Sequence, residues 1–152
     1  MFDRQMDLMS RHLARIAGEL ESDPQNVAAW QTARETLGEA RASEPDLAAA
    51  IDAKDCAALR GIVTGWASGA RLLPEEDREV LKRAMKAFRK SLKVTRLDAE
   101  SSIAGGPMSS GRHSGIVGVT PPARYPREVW DELVRQGRLR GGKMGIYELP
   151  PE

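Results

Sequence analysis

Residues 73–98 read LPEEDREVLKRAMKAFRKSLKVTRLD, and the rest of the chain is organised around the helix that they predict. At about 100° of rotation per residue, the apolar side chains fall on one broad face and the Lys and Arg side chains on the other. Pro74 suits the first turn of a helix, where its missing N–H loses no hydrogen bond. Glu75, Glu76 and Asp77 then place negative charge at the positive end of the helix dipole. The stretch therefore predicts a long amphipathic helix with one apolar face and one basic face.

The composition of the 152 residues is that of a folded globular protein, with 41% hydrophobic and 30% charged residues. No apolar run approaches the roughly 20 residues that a membrane-spanning helix needs, and charges interrupt the N-terminus where a signal peptide would be apolar. Cys56 is the only cysteine, which excludes an internal disulfide and a cysteine-based zinc site. We therefore expect a cytoplasmic protein with no membrane partner.

Shorter helical patterns precede the basic helix. Apolar residues recur at spacings of three and four over 3–21 and 24–42, then over 47–51, and again after Asp55. Asp-Pro and Glu-Pro pairs separate the first three patterns and supply the first-turn prolines with which helices often begin. Because connections this short favour antiparallel neighbours, residues 1–98 are predicted to form an antiparallel helical bundle.

The pattern changes after the basic helix. Residues 99–114 are rich in Gly and Ser and are predicted to form a linker. Residues 115–152 are predicted to form a small α+β tail, with a strand over 115–120, a helix over 127–136 and a hairpin with a two-residue glycine turn over 138–149. The sequence thus predicts a mainly α protein.

The formal net charge of +1 is unevenly divided along the chain. Residues 1–81 carry a net charge of −6, whereas residues 82–152 carry a net charge of +7. The basic half could have a polyanionic partner, or the two halves could attract each other within one chain or between two copies.

The basic helix is the strongest functional signal, because seven of the fifteen residues 82–96 are Lys or Arg and none is acidic. Such a stripe attracts phosphate backbones by counterion release, although it could also be no more than a solvated polar face. We therefore predict a non-enzymatic nucleic-acid-binding accessory protein, with the cations of the hairpin as a second contact. The alternative is a helical protein–protein interaction module, which could include a homo-oligomer. The predicted nucleic-acid-binding residues are Lys82, Arg83, Lys86, Arg89, Lys90, Lys93, Arg96, Arg138, Arg140 and Lys143.

The linker contains glycines spaced as in a phosphate-binding loop, followed by Arg112 and His113. Arg and His replace the Lys and hydroxyl residue of that motif, and a predicted strand rather than a helix follows, so a nucleotide triphosphatase is excluded. A weaker phosphate contact by Arg112 and His113 stays open beside a plain flexible linker. The serines beside His113 have no third group to orient a nucleophile, and two distant histidines with one cysteine make no metal cluster. We predict no catalysis, no cofactor and no metal.

The large aromatic residues are predicted to belong mostly to the core. Trp30, Trp66 and Trp130 fall on the apolar faces of helices, where packing is the expected role. Tyr147 lies among cations in the last strand, so it could either pack within the hairpin or stack on a base.

Overall fold

A computed structural model describes residues 5–103 and 118–150, without the side chains of 96–103 and Lys143. Within these ranges the chain forms six α-helices and three short strands, which confirms the mainly α fold with a small α+β tail. The elements are α1 (Met9–Ser22), α2 (Val27–Leu37), α3 (Pro45–Asp52), α4 (Cys56–Ser68), α5 (Glu75–Ile103), β1 (Gly118–Val119), α6 (Arg127–Arg135), β2 (Arg140–Gly141) and β3 (Tyr147–Glu148).

The chain divides into two compact units, residues 1–80 and 81–152, so α5 contributes to both. This division differs from the predicted one, in which the whole basic helix belongs to a bundle of residues 1–98. The difference arises because Phe88 of α5 packs against Trp130 of α6 and thereby joins the second unit. Residues 99–103, which were assigned to the linker, continue α5. The remaining linker residues 104–114 lie outside the described residues.

The first unit is built from helix-on-helix packing. Helix α1 packs against α2 and α4, and α3 packs against the same two helices. The helices begin where the sequence supplies caps: Asn26 accepts a hydrogen bond from the amide of Ala29, and Asp55 accepts one from the amide of Ala58. The fully or nearly fully buried side chains of this unit include Leu13, Leu20, Trp30, Leu37, Leu47, Ile51, Leu59 and Trp66.

The sequence predicts that α1 starts at residue 3, but the helix begins at Met9. The described residues 5–8 are not helical, so the prediction is wrong for them. The cause is a carboxylate far along the chain. Asp77, in the first turn of α5, accepts hydrogen bonds from the amides of Met9 at 2.7 Å and Ser10 at 2.9 Å. Leu8 occupies the N-cap position and has no acceptor in its side chain. Asp77 therefore performs the capping that a local Ser, Thr, Asp or Asn usually performs.

The sheet of the second unit is antiparallel, with strand order β1-β3-β2. The prediction of a two-residue turn at Gly141 and Gly142 is wrong, because Gly141 belongs to β2 and the turn comes later, at Lys143–Gly145. The amide of Gly142 donates to the carbonyl of Ile146 at 2.8 Å and closes this turn. At Gly142 φ is +107°, and a Cβ there would lie only 3.3 Å from the ring of Tyr147, so only glycine fits without strain.

An aromatic cluster around Trp130 forms the core of the second unit. The ring centroid of Trp130 lies 6.1 Å from Phe88, 5.7 Å from Tyr125 and 6.3 Å from Tyr147. Tyr147 is only 2% exposed, and its hydroxyl donates to Asp131 at 3.3 Å. The hypothesis that Tyr147 stacks on a base is therefore wrong, and its packed alternative is confirmed.

Replacing Phe88 with Ala should lower the free energy of unfolding by about 3–5 kcal/mol, because the fully buried ring loses its contacts and leaves a cavity. Urea denaturation followed by the fluorescence of the neighbouring Trp130 measures the loss. The matched control is Val94→Ala in the same helix, where the half-exposed side chain should change stability by no more than about 0.5 kcal/mol. Equal midpoints for Phe88→Ala and the wild type would contradict the packing described above.

The second prediction concerns Asp77, which is 1% exposed. Burial raises its pKa from 3.8 to about 6, the hydrogen bonds from Ser10 and Met9 oppose this rise, and the charge of Glu76 adds to it. Between these two pH values the folded state binds more protons than the unfolded state. Stability therefore falls as pH rises from about 4 to about 6.

Asp77→Asn removes this titration, so the variant should not lose this stability as pH rises. The free energy of unfolding of the variant minus that of wild type should therefore increase by on the order of 3 kcal/mol from pH 4 to pH 7. Urea denaturation of both proteins at a series of pH values measures this difference. Glu79→Gln, at an exposed position of the same helix, controls for the loss of one negative charge. A difference between Asp77→Asn and wild type that does not vary with pH would refute the assignment.

Candidate nucleic-acid interface

The basic face of α5 consists of six described side chains, all of them exposed: Lys82, Arg83, Lys86, Arg89, Lys90 and Lys93. Spacings of three and four residues align Lys82, Lys86, Arg89 and Lys93 in one narrow stripe. At 1.5 Å per residue, this stripe is about 16 Å long from end to end. Arg83 and Lys90 flank the stripe on one side.

The opposite face of the same helix segment is buried. Its side chains are nearly inaccessible to solvent, and they include Leu81, Ala84, Met85, Phe88 and Leu92. Burial of this apolar face fixes the rotation of α5 about its own axis. The cations therefore point into solvent as a consequence of the packing on the other side.

The charges of the basic face have no carboxylate partner within ion-pair distance among the described residues. Cations elsewhere do: Arg71 lies 3.1 Å from Glu44, and Arg60 lies 3.0 Å from Glu21. The difference matters because an arginine paired with a carboxylate attracts a phosphate less strongly than an unpaired one. Within the part of the chain that the structure describes, the basic face is thus a positive surface without ion-pair partners.

The cations of the hairpin, predicted as a second contact, have negative charge close by or side chains that are not described. Arg138 and Arg140 are exposed, but Arg140 lies directly opposite Glu148 in the β-ladder, which places negative charge nearby. Lys143 lies in the turn and Arg96 lies on α5. The side chains of both residues are outside the described part of the chain. Tyr147 of β3 and Phe88 of α5 both pack on Trp130, so the hairpin and the basic face belong to the same unit.

The predicted phosphate contact in the linker, by Arg112 and His113, lies outside the described residues. It therefore stays a prediction.

Sequence reasoning missed a further cation, Arg124, and the cleft beside it. The cleft has a volume of about 500 Å³ and lies between α5 and the segment 122–124. Arg124 stands in a segment without periodicity, so nothing in the sequence distinguishes it from any exposed arginine. The only local signal is the Tyr125 that follows it, whose ring lies 5.4 Å from its guanidinium.

Buried carboxylates in the described residues have structural partners. Glu132 of α6 is 2% exposed and accepts hydrogen bonds from Arg135, the shortest at 2.6 Å. In the same part of the chain, no buried side-chain nitrogen or oxygen lacks a hydrogen-bond partner. No group of three or more His, Cys, Asp or Glu side chains in the described ranges is placed to hold a metal ion.

Every helix within the described ranges is too short or too polar to cross a lipid bilayer. Comparisons of the chain with family models, with curated proteins and with solved structures found no match. Function must therefore be inferred from the geometry and charge of the molecule.

Proposed function

We propose that this protein binds nucleic acid through the basic face of α5, by contacts to phosphates and without enzymatic chemistry. The observation that carries the proposal is the row of exposed cations on one side of a well-packed helix, none with a carboxylate partner among the described residues. Cations held in this way release condensed counterions when they approach a phosphate backbone, which is the main source of affinity in such complexes.

The geometry favours a phosphate backbone over a membrane surface. A helix that lies on a membrane inserts an apolar face among the lipids while its cations contact the headgroups. In α5 that apolar face is already buried in the protein, with Leu81, Met85 and Phe88 nearly inaccessible. The cations of the basic face are left for a partner, and a polyanion that carries charge along its whole length suits a 16 Å stripe.

Phosphate contacts fix position without reading sequence. We therefore infer binding that is largely independent of sequence, with the basic face as the principal contact. Arg138 and Arg140 of the hairpin serve as an auxiliary contact, because Glu148 reduces the local positive charge.

Replacing Lys86, Arg89 and Lys93 together with Gln should weaken binding to every nucleic-acid sequence alike. Each contact with duplex DNA contributes about 0.9 to the slope of log affinity against log salt, so the slope should shrink by about 2–3. Gln is a good helix former, so the helix content measured by circular dichroism should be unchanged. Fluorescence anisotropy of labelled mixed-sequence DNA and RNA over a salt series measures the slopes.

The matched control replaces Arg34, Arg41 and Arg60 with Gln, which removes the same charge from exposed residues of the first unit. These three arginines pair with Asp52 or Glu21, and the salt slope should not change. Absence of any retention of wild type on DNA or RNA at low salt would rule out the proposal. The triple Gln variant of α5 could instead dissociate an oligomer and still bind nucleic acid as wild type does. That result would replace the proposal with its alternative, a helical protein–protein interaction module.

Replacing Arg138 and Arg140 with Gln should reduce the salt slope by less than the α5 variant does, because the hairpin is only an auxiliary contact. The same anisotropy series measures both variants side by side. A larger loss from the hairpin variant would move the principal contact from α5 to the sheet.

A further inference from the structure

A cleft of about 500 Å³ adjoins the basic face within the second unit. One wall is the side of α5 between residues 87 and 95, and the other wall is the segment 122–124. Lys90 belongs both to the basic face and to the cleft. Any strand whose phosphates follow the basic face therefore passes the mouth of this cleft.

The lining of the cleft combines one cation on each wall with apolar residues and with the hydroxyl residues Ser91 and Thr95. Lys90 stands on the helix wall and Arg124 on the loop wall, and neither has a carboxylate partner among the described residues. Val94, which is 50% exposed, adds apolar surface on the helix wall, and Pro122 adds it on the loop wall. A ligand that suits this lining carries negative charge for the two cations and a less polar part for Val94 and Pro122.

The loop wall is held in place by aromatic packing. The guanidinium of Arg124 lies 5.4 Å from the ring centroid of Tyr125, which is buried and packs edge-on against Trp130 at 5.7 Å. Trp130 in turn contacts Phe88 on α5, the helix that forms the other wall. The two walls are thus connected through one aromatic core, which holds them beside each other and leaves the cleft open to solvent.

One nucleotide within a strand has the required form, because its base and sugar lie between two phosphates. In a duplex the base is stacked and paired, and moving it out costs a few kcal/mol, whereas an unpaired base is free to enter a pocket. We propose that the cleft receives one unpaired nucleotide of a single strand, with Lys90 and Arg124 at the flanking phosphates. This inference rests on the proposed function and adds to it a preference for single strands.

The test fills the cleft without changing charge. Ala123 is exposed and lines the cleft, so Ala123→Trp occupies its volume. Anisotropy compares three labelled probes of equal length: a mixed-sequence single strand, the corresponding duplex, and a single strand in which every nucleotide is abasic. At one salt concentration, wild type should bind the normal single strand about tenfold more tightly than the abasic one.

Ala123→Trp should lose this tenfold preference and keep the salt slope of wild type, since the phosphate contacts are unchanged. Ala57→Trp, at an exposed alanine of α4 in the first unit, is the matched control and should bind as wild type does. Arg124→Gln tests the site without adding volume: it should weaken binding of the single strand and lower its salt slope by about 0.7.

The outcomes separate the two proposals. Equal binding of normal and abasic single strands by wild type would overturn the cleft site and leave nucleic-acid binding in place. The cleft site would also be overturned if Ala123→Trp kept the full preference for the normal over the abasic strand. The same holds if Arg124→Gln kept the salt slope of wild type. Failure of wild type to bind any of the three probes at low salt would overturn both proposals together.

Discussion

The contact between Phe88 and Trp130 is the interaction on which the rest of the second unit depends. It joins α5 to α6, and through Trp130 it reaches the loop before α6 and the last strand. Burial of the apolar face fixes how α5 is turned, because rotating the helix would bring its cations towards the core at a large desolvation cost. The direction of the charged surface is therefore a consequence of apolar packing.

Local pattern predicts α5 well, because a helix face depends only on the spacing of residues along the chain. The start of α1 could not be predicted in the same way. Its capping group is Asp77, which is 68 residues from Met9, and no local motif announces it. The predicted position of the hairpin turn is wrong for a related reason. Several glycines lie close together in this segment, and the sequence does not show that Gly142 lies against the ring of Tyr147. Sequence periodicity predicts elements, whereas these details depend on contacts between distant residues.

The candidate site shows the same distinction. Exposure of Lys82, Lys86 and Lys93 follows from amphipathicity, so these residues could be identified from the sequence. Arg124 could not, because its place opposite Lys90 results from the contact of Tyr125 with Trp130. A surface made by one helix is thus predictable from its own residues. A cleft made by two segments requires the core that brings them together.

The capping of α1 by Asp77 also has a consequence for the order in which the first unit is completed. The amides of Met9 and Ser10 find their acceptor only after residue 77 has been added to the chain. During synthesis, α1 can form its later turns early, while its first turn stays frayed until the beginning of α5 arrives. In the finished protein these two amides should exchange with solvent deuterium only when the first turn of α5 opens, so the two helix ends form one cooperative unit.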